Sequence, residues 1–297
     1  MTYTSSKGHA LIDRALYLPR SWTDDRDRST EAGVPDSVEF ATKPALATTL
    51  IERALDADVP AGWVAGDEVY GADPNLRTVL QQRQIWYVLA ISKDRRIPTD
   101  TGEQCVADIA STMPTSAWQR LSAGTGTKGE RLYSWAWVTS TETPARGGQC
   151  SVLIRRNDET GEVAFYRCYS PQPATLATLV RVAGRLWTVE ESFQTSKGLT
   201  GLDQHQVRTR TSWHRWTILV MLAHAFLAVT TATQRRTEHP NPALIRLIVN
   251  EFRRLFITLI LAPLHTTRDR ILDWSLWRRR HQRRAQQCHQ NCRSTQQ

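Results

Sequence analysis

The stretch Trp63-Val64-Ala65-Gly66-Asp67-Glu68-Val69-Tyr70-Gly71-Ala72-Asp73-Pro74 decides how the N-terminal third folds. It opens on a short run that reads as a strand and ends in a carboxylate beside a glycine-flanked turn. It closes on an N-cap aspartate and a first-turn proline, which start a helix running to about Arg83. Upstream, Pro44 is placed as a first-turn residue of a helix reaching about Ala57, with Ala47, Leu50, Ile51, Ala54 and Leu55 on its apolar face. Downstream, residues 85–92 read as a buried strand. Helix, strand, helix, strand over 44–92 is the pattern of a parallel sheet with crossover helices, so the fold class is α/β.

Working outward, residues 1–4 read as the end of a strand, 5–8 as a turn, 10–18 as a second strand stopped at Pro19, and the charged segment 22–34 as a loop. Past residue 97 the pattern changes to aromatic strands at 133–138, 151–155 and 163–169, divided by glycine turns, which predicts a β-rich insertion. From Pro173 helices return. Leu176, Leu179, Val180, Ala183, Leu186, Trp187, Val189 and Phe193 mark one helical face, and further helices are predicted over 212–233 and 242–261. The divisions that follow are a core segment 1–96, the insertion 97–172, core helices 173–265 and a basic tail 266–297.

The charge balance narrows the partners. Thirty-eight Lys and Arg face 29 Asp and Glu, giving +9 and a pI near 9.7. Six of the nine charges come from the last thirty residues, where eight arginines oppose only Asp269 and Asp273. Clustered guanidinium groups release counterions from nucleic acid, so the tail reads as a phosphate-contacting face against the alternative of a solvated basic end. Five scattered cysteines fit a reducing cytoplasm. Cys288, His289 and Cys292 have no second ligand pair near them to complete a zinc site. The apolar run 216–233 includes His224 and several threonines, and is predicted as a buried core helix rather than a membrane span.

Two acidic positions stand out. Asp67 ends a strand next to a helix start, and the carboxyl ends of strands form the ligand crevice of open α/β sheets; a plain turn or cap role competes with that reading. Glu190, with Gln194 and Lys197, continues the stripe of Leu176, Val180, Ala183 and Trp187. A carboxylate extending a buried face requires a partner or a metal; an exposed helix end is the competing reading. Two carboxylates from different elements of a basic α/β protein suggest a divalent-metal site for phosphoryl transfer.

These residues also carry a family resemblance. Gly66-Asp67-Glu68-Val69-Tyr70-Gly71 with Ala72-Asp73-Pro74 resembles the second-aspartate motif of DDE superfamily transposases from bacterial insertion sequences. Trp187-Thr188-Val189-Glu190-Glu191-Ser192-Phe193-Gln194 with Lys197-Gly198 resembles their glutamate helix. Gly201-Leu202-Asp203, Val207-Arg208, Trp213-His214-Arg215 and Trp274 to Gln282 are similar to the family as well.

The resemblance implies an RNase H-like core with a β-strand insertion between the second aspartate and the glutamate. In the family three carboxylates hold two Mg²⁺ or Mn²⁺ ions, and water and then a freed 3′-hydroxyl attack phosphodiesters at the element's ends. Carried over by motif, Asp67 and Glu190 are catalytic metal ligands. Lys197, Arg185, Arg208, Arg215, Arg278, Arg279 and Arg280 are then contacts to double-stranded DNA. Trp187 is open to two readings, core packing or stacking near a DNA end. Leu186 stands where the family usually has Arg, with Arg185 one place earlier.

The family's first aspartate belongs on a strand ahead of the hairpin that begins at Met1. The expectation is therefore an N-terminally truncated, inactive transposase fragment of the bacterial cytoplasm, associated with the nucleoid when bound and open to homo-oligomerisation. The alternative is a non-catalytic DNA-binding remnant or pseudoprotein.

Overall fold

The structure, a computed structural model, describes residues 1–126, 129–237, 247–261, 276–277, 279–281 and 284. The chain forms two compact units, Met1–Phe226 and Leu227–Gln297.

In the first unit, β1 (Thr2–Thr4) and β2 (His9–Leu11) form an antiparallel hairpin of their own. The strand predicted over 10–18 ends at Leu11, where the paired ladder closes: Ile12 N–H donates to the Met1 carbonyl and the Met1 amino group donates to the Asp13 carbonyl at 2.7 Å. The predicted loop at 22–34 is instead two short helices, α1 (Arg20–Thr23) and α2 (Arg26–Glu31). The Asp25 side chain caps α2 by accepting from Arg28 N–H at 3.0 Å, so a charged stretch that looked irregular is held by its own capping chemistry.

α3 (Lys43–Asp56) starts at Thr42, whose hydroxyl accepts from Ala45 N–H, with Pro44 in the first turn. β3 (Trp63–Gly66), α4 (Glu68–Gly71), α5 (Pro74–Gln82) and β4 (Trp86–Ile91) follow, and β3 pairs parallel with β4, Gly66 opposite Leu89. This is the crossover pattern expected.

A small hairpin, β5 (Arg96–Thr99) with β6 (Gly102–Cys105), leads into α6 (Val106–Thr112). Then come β7 (Gln119–Gly126), β8 (Gly129–Ser140), β9 (Gln149–Arg156) and β10 (Val163–Ser170). These four do not form a sheet apart. They continue the one begun by β3 and β4, in the order β3-β4-β10-β9-β8-β7, with β10 antiparallel to β4. The reason lies in β4: Tyr87, Val88 and Leu89 are all buried, so both faces are covered and its backbone N–H and C=O groups, shut off from water, are paired on both edges. β3 is left as an edge strand.

One face of this sheet packs on α7 (Leu176–Gly184), where Val88, Trp135, Leu153 and Tyr166 meet Leu179, Val180 and Ala183. The other carries two apolar clusters, one under α5 (Leu76, Leu80, Tyr87, Leu89, Tyr169) and one under α6 (Val106, Ile109, Val152, Ile154, Phe165).

The single helical face predicted through Phe193 is broken. α7 ends at Gly184, and α8 (Trp187–Thr200) begins after a tight turn at Arg185 and Leu186, in which Thr188 N–H reaches the Arg185 carbonyl. α8 buries Thr188, Ser192 and Ser196, while Trp187 (43% exposed) and Phe193 (44%) point outward. The row that looked like core is therefore the solvent row.

α9 (Arg210–Thr237) corrects a second expectation. It is long and apolar enough to cross a membrane by length and composition, and only one of its rows is buried: Thr217, Val220, His224, Leu227 and Thr231. Ile218, Leu219 (62% exposed), Leu222 (65%) and Val229 lie open. In the second unit, α10 (Val249–Phe256) runs on into a π-type turn, Ile257–Leu261. Residues 242–246 of the predicted third C-terminal helix, Arg278, and the Cys288, His289 and Cys292 group lie outside the described residues.

Candidate functional site

Asp67 is the first residue past β3, at the carboxyl end of that strand. It also caps α4: its Oδ1 accepts from Val69 N–H at 3.0 Å, and its carbonyl accepts from Tyr70 and Gly71 N–H. The cap reading therefore holds; it uses one carboxylate oxygen of a residue that is exposed. Burial, and then the charge of Asp67, push the Tyr70 phenol above its ordinary pKa, so that ring stays neutral beside the carboxylate.

The turn is fixed tightly from below. Gly71 lies so close to β4 that any side chain there would collide with the Ala90 carbonyl, and Arg77 Nη1 donates to the Gly71 carbonyl at 2.7 Å. Asp73 then caps α5 by accepting from Leu76 N–H at 2.8 Å.

Glu190 lies in the first turn of α8 and is exposed, not buried as the continued stripe implied. Its neighbour Glu191 turns a different way. Glu191 Oε2 is 3.7 Å from His9 Nε2, and Ser192 Oγ is 2.7 Å from His9 Nδ1, so α8 docks on the β1–β2 hairpin through Glu191 and Ser192. Behind them His224 of α9 is buried, its ring 6.5 Å from that of His9. Burial, then the nearby His9, push His224 down to a pKa of about 4. The structure thereby divides the labour between two adjacent glutamates, one holding the hairpin and one facing solvent.

Among the described residues, no hydrogen bond or ion pair joins Asp67 to Glu190. No three His, Cys, Asp or Glu side chains there stand close enough to hold a metal ion. The described residues therefore do not assemble the three-carboxylate set that a two-metal centre requires. Asp13, the nearest acidic residue to the hairpin by sequence, is committed elsewhere, its Oδ2 pairing with Arg53 at 2.7 Å.

The cationic candidates are spread out. Arg185 is the half-buried C-cap of α7 and Lys197 is exposed in the last turn of α8. Arg208 and Arg215 are exposed before and within the first turns of α9, and Arg279 and Arg280 are exposed.

One polar group escaped the sequence reading. Arg167 is buried in the middle of β10, with Glu142 beside it. The signal was available as a lone arginine inside the apolar run Phe165-Tyr166-Arg167-Cys168-Tyr169.

Residues 1–107 match the family described as DDE superfamily endonuclease. The match runs from β1 to the first turn of α6; it includes Asp67 and stops short of Glu190. The match supports a DDE-type, transposase-like domain over this part of the chain. A search of the curated proteins finds no match.

Proposed function

We propose, from the match of residues 1–107 to the DDE superfamily endonucleases, that this chain is a transposase-family polypeptide that binds the double-stranded DNA of an insertion sequence. The reading is carried by Asp67, an exposed carboxylate within the matched segment, fixed at the carboxyl end of a parallel strand by a cap that leaves one oxygen open.

In this reading the core is RNase H-like. Asp67 and Glu190 are oxygen donors suited to Mg²⁺ or Mn²⁺, which bind through a few carboxylates together with substrate phosphates. Lys197, Arg208, Arg215 and the basic tail contact the DNA backbone. The inward row of α9 makes it a packing helix, and the protein works in the cytoplasm on the nucleoid.

With only Asp67 and Glu190 assigned of the family's three carboxylates, the chain alone in this reading binds DNA without cutting it. The test is to incubate the purified chain with labelled duplex and supercoiled plasmid in Mg²⁺ and in Mn²⁺. Retardation of the duplex with no nicking or joining is expected. Metal-dependent cleavage that disappears in Asp67→Asn would overturn the inactivity. Failure to retard any duplex at low salt would overturn the reading as a whole.

A further inference from the structure

The sheet face under α5 and α6 holds a concentration of positive charge that the proposed metal site does not use. Arg167 pairs across the ladder with Leu89 and, on its other side, with Val152. Residues directly opposite in an antiparallel ladder share a face, so the Arg167 side chain lies between the apolar cluster under α5 and the one under α6. It is 8% exposed. Its ion-pair partner is Glu142, 3.4 Å away.

Two more guanidinium groups approach from the elements on either side. Arg77 comes from α5 and is half-buried, with Nη1 on the Gly71 carbonyl. Arg95 follows β4, and its Nε is buried with no hydrogen-bond partner. Gly71 lies against Leu89 and Ala90 of β4, and Leu89 is the rung opposite Arg167, so the Arg77 guanidinium sits at the Arg167 end of that ladder; the charges of Arg167, Glu142 and Arg95 all act on Arg77, which burial first and then Arg167 push below its ordinary value.

Three guanidinium groups and one carboxylate leave a surplus of two positive charges among apolar walls. Buried charge without a counter-charge is expensive, and a buried donor without an acceptor adds to the cost. A tetrahedral phosphate oxyanion answers both, since it carries up to two negative charges and its oxygens accept from guanidinium forks. Arg77, Arg95 and Glu142 are each only partly buried, so the group is open to solvent on one side.

We propose that Arg77, Arg95 and Arg167 form a binding site for a phosphate oxyanion, with Glu142 as the internal counter-ion that holds the site in its absence. The site uses neither the Asp67 nor the Glu190 carboxylate and does not depend on metal chemistry.

The test uses the full chain at constant ionic strength, titrated with inorganic phosphate and read by calorimetry and by thermal shift. Saturable binding is expected. Arg77→Gln and Arg95→Gln should each weaken it about tenfold or more, the loss of a charge-assisted hydrogen bond, while Arg26→Gln, at an exposed arginine of α2, leaves it unchanged.

Glu142→Gln separates the proposal from a purely structural ion pair. Removing the internal competitor should tighten phosphate binding, and phosphate should restore the stability that the substitution costs. A labelled duplex titrated against the same variants identifies the source. A duplex weakened by Arg95→Gln assigns the oxyanion to the DNA backbone, and one indifferent to it assigns free phosphate. No saturable phosphate binding, equal affinity in Arg77→Gln and Arg95→Gln, or weaker binding in Glu142→Gln would each overturn the site.

Discussion

At the scale of single residues, backbone proximity and burial set the sharpest expectations. Gly71 was legible only as part of a motif; its physical reason is the Ala90 carbonyl that occupies the space a Cβ would need. Gly71→Ala must push α4 off β4, which should cost about 1–3 kcal/mol or more. Gly198, inside α8 with nothing within 4 Å of its missing Cβ, is the control; Gly198→Ala should gain roughly 0.5–1 kcal/mol through helix propensity. Chemical denaturation of both variants checks the pair, and a neutral Gly71→Ala would mean that α4 does not sit this close to the sheet.

His224 gives a pH dependence of definite sign. Its folded pKa, about 4, lies below its ordinary 6.5, so the folded state disfavours the proton. The stabilisation is fully present above about pH 6.5 and is lost as pH falls from there toward 4. The loss is on the order of 3 kcal/mol for this one group. Wild type compared with His224→Leu across pH 4–7 isolates it, and parallel stability curves would refute it.

At the scale of elements, what the sequence disclosed depended on whether the deciding interaction was local. The starts of α3 and α5 were readable because Thr42, Pro44, Asp73 and Pro74 act within one turn of themselves. So were β3 and β4, whose parallel pairing follows from the helix between them. The orientation of α8 was not readable. A row of Trp187, Val189 and Phe193 outweighs Thr188, Ser192 and Ser196 on any hydrophobic count. Yet the tight approach of the hairpin, through His9 on Ser192, admits only the small residues. The joining of β10 to β4 was equally hidden, since it links residues more than seventy positions apart.

α8 offers a direct test of this inversion. Phe193→Ser should change stability by no more than about 0.5 kcal/mol, as for an ordinary surface position, whereas a core phenylalanine truncated to a small residue costs about 3–5 kcal/mol. Ser196 Oγ is buried without a hydrogen-bond partner, so Ser196→Ala should be neutral or stabilising. Thermal unfolding of the two variants distinguishes the orientations, and a large loss in Phe193→Ser would restore the aromatic row to the core.

At the scale of the whole molecule, the question is how a net charge of +9 is used. A sequence gives total charge without ambiguity, but which charges act together depends on the fold. The Arg77, Arg95 and Arg167 group could not be inferred from spacing, because its members come from α5, the end of β4 and β10. The basic tail stands out in the sequence because its charges lie close together along the chain. Deleting residues 278–297 removes six arginines: Arg278, Arg279, Arg280, Arg283, Arg284 and Arg293. Each arginine that neutralises a phosphate contributes about 0.9 to the slope of log affinity against log salt on duplex DNA, so full engagement of the tail predicts a fall of roughly five in that slope. Sequence preference should not change, since backbone contacts carry no base information. Fluorescence anisotropy on two unrelated duplexes between about 50 and 200 mM salt measures both quantities. A slope that falls equally on both duplexes makes the tail a general phosphate-binding arm. An unchanged slope makes it a solvated end and leaves any DNA binding to the rest of the chain.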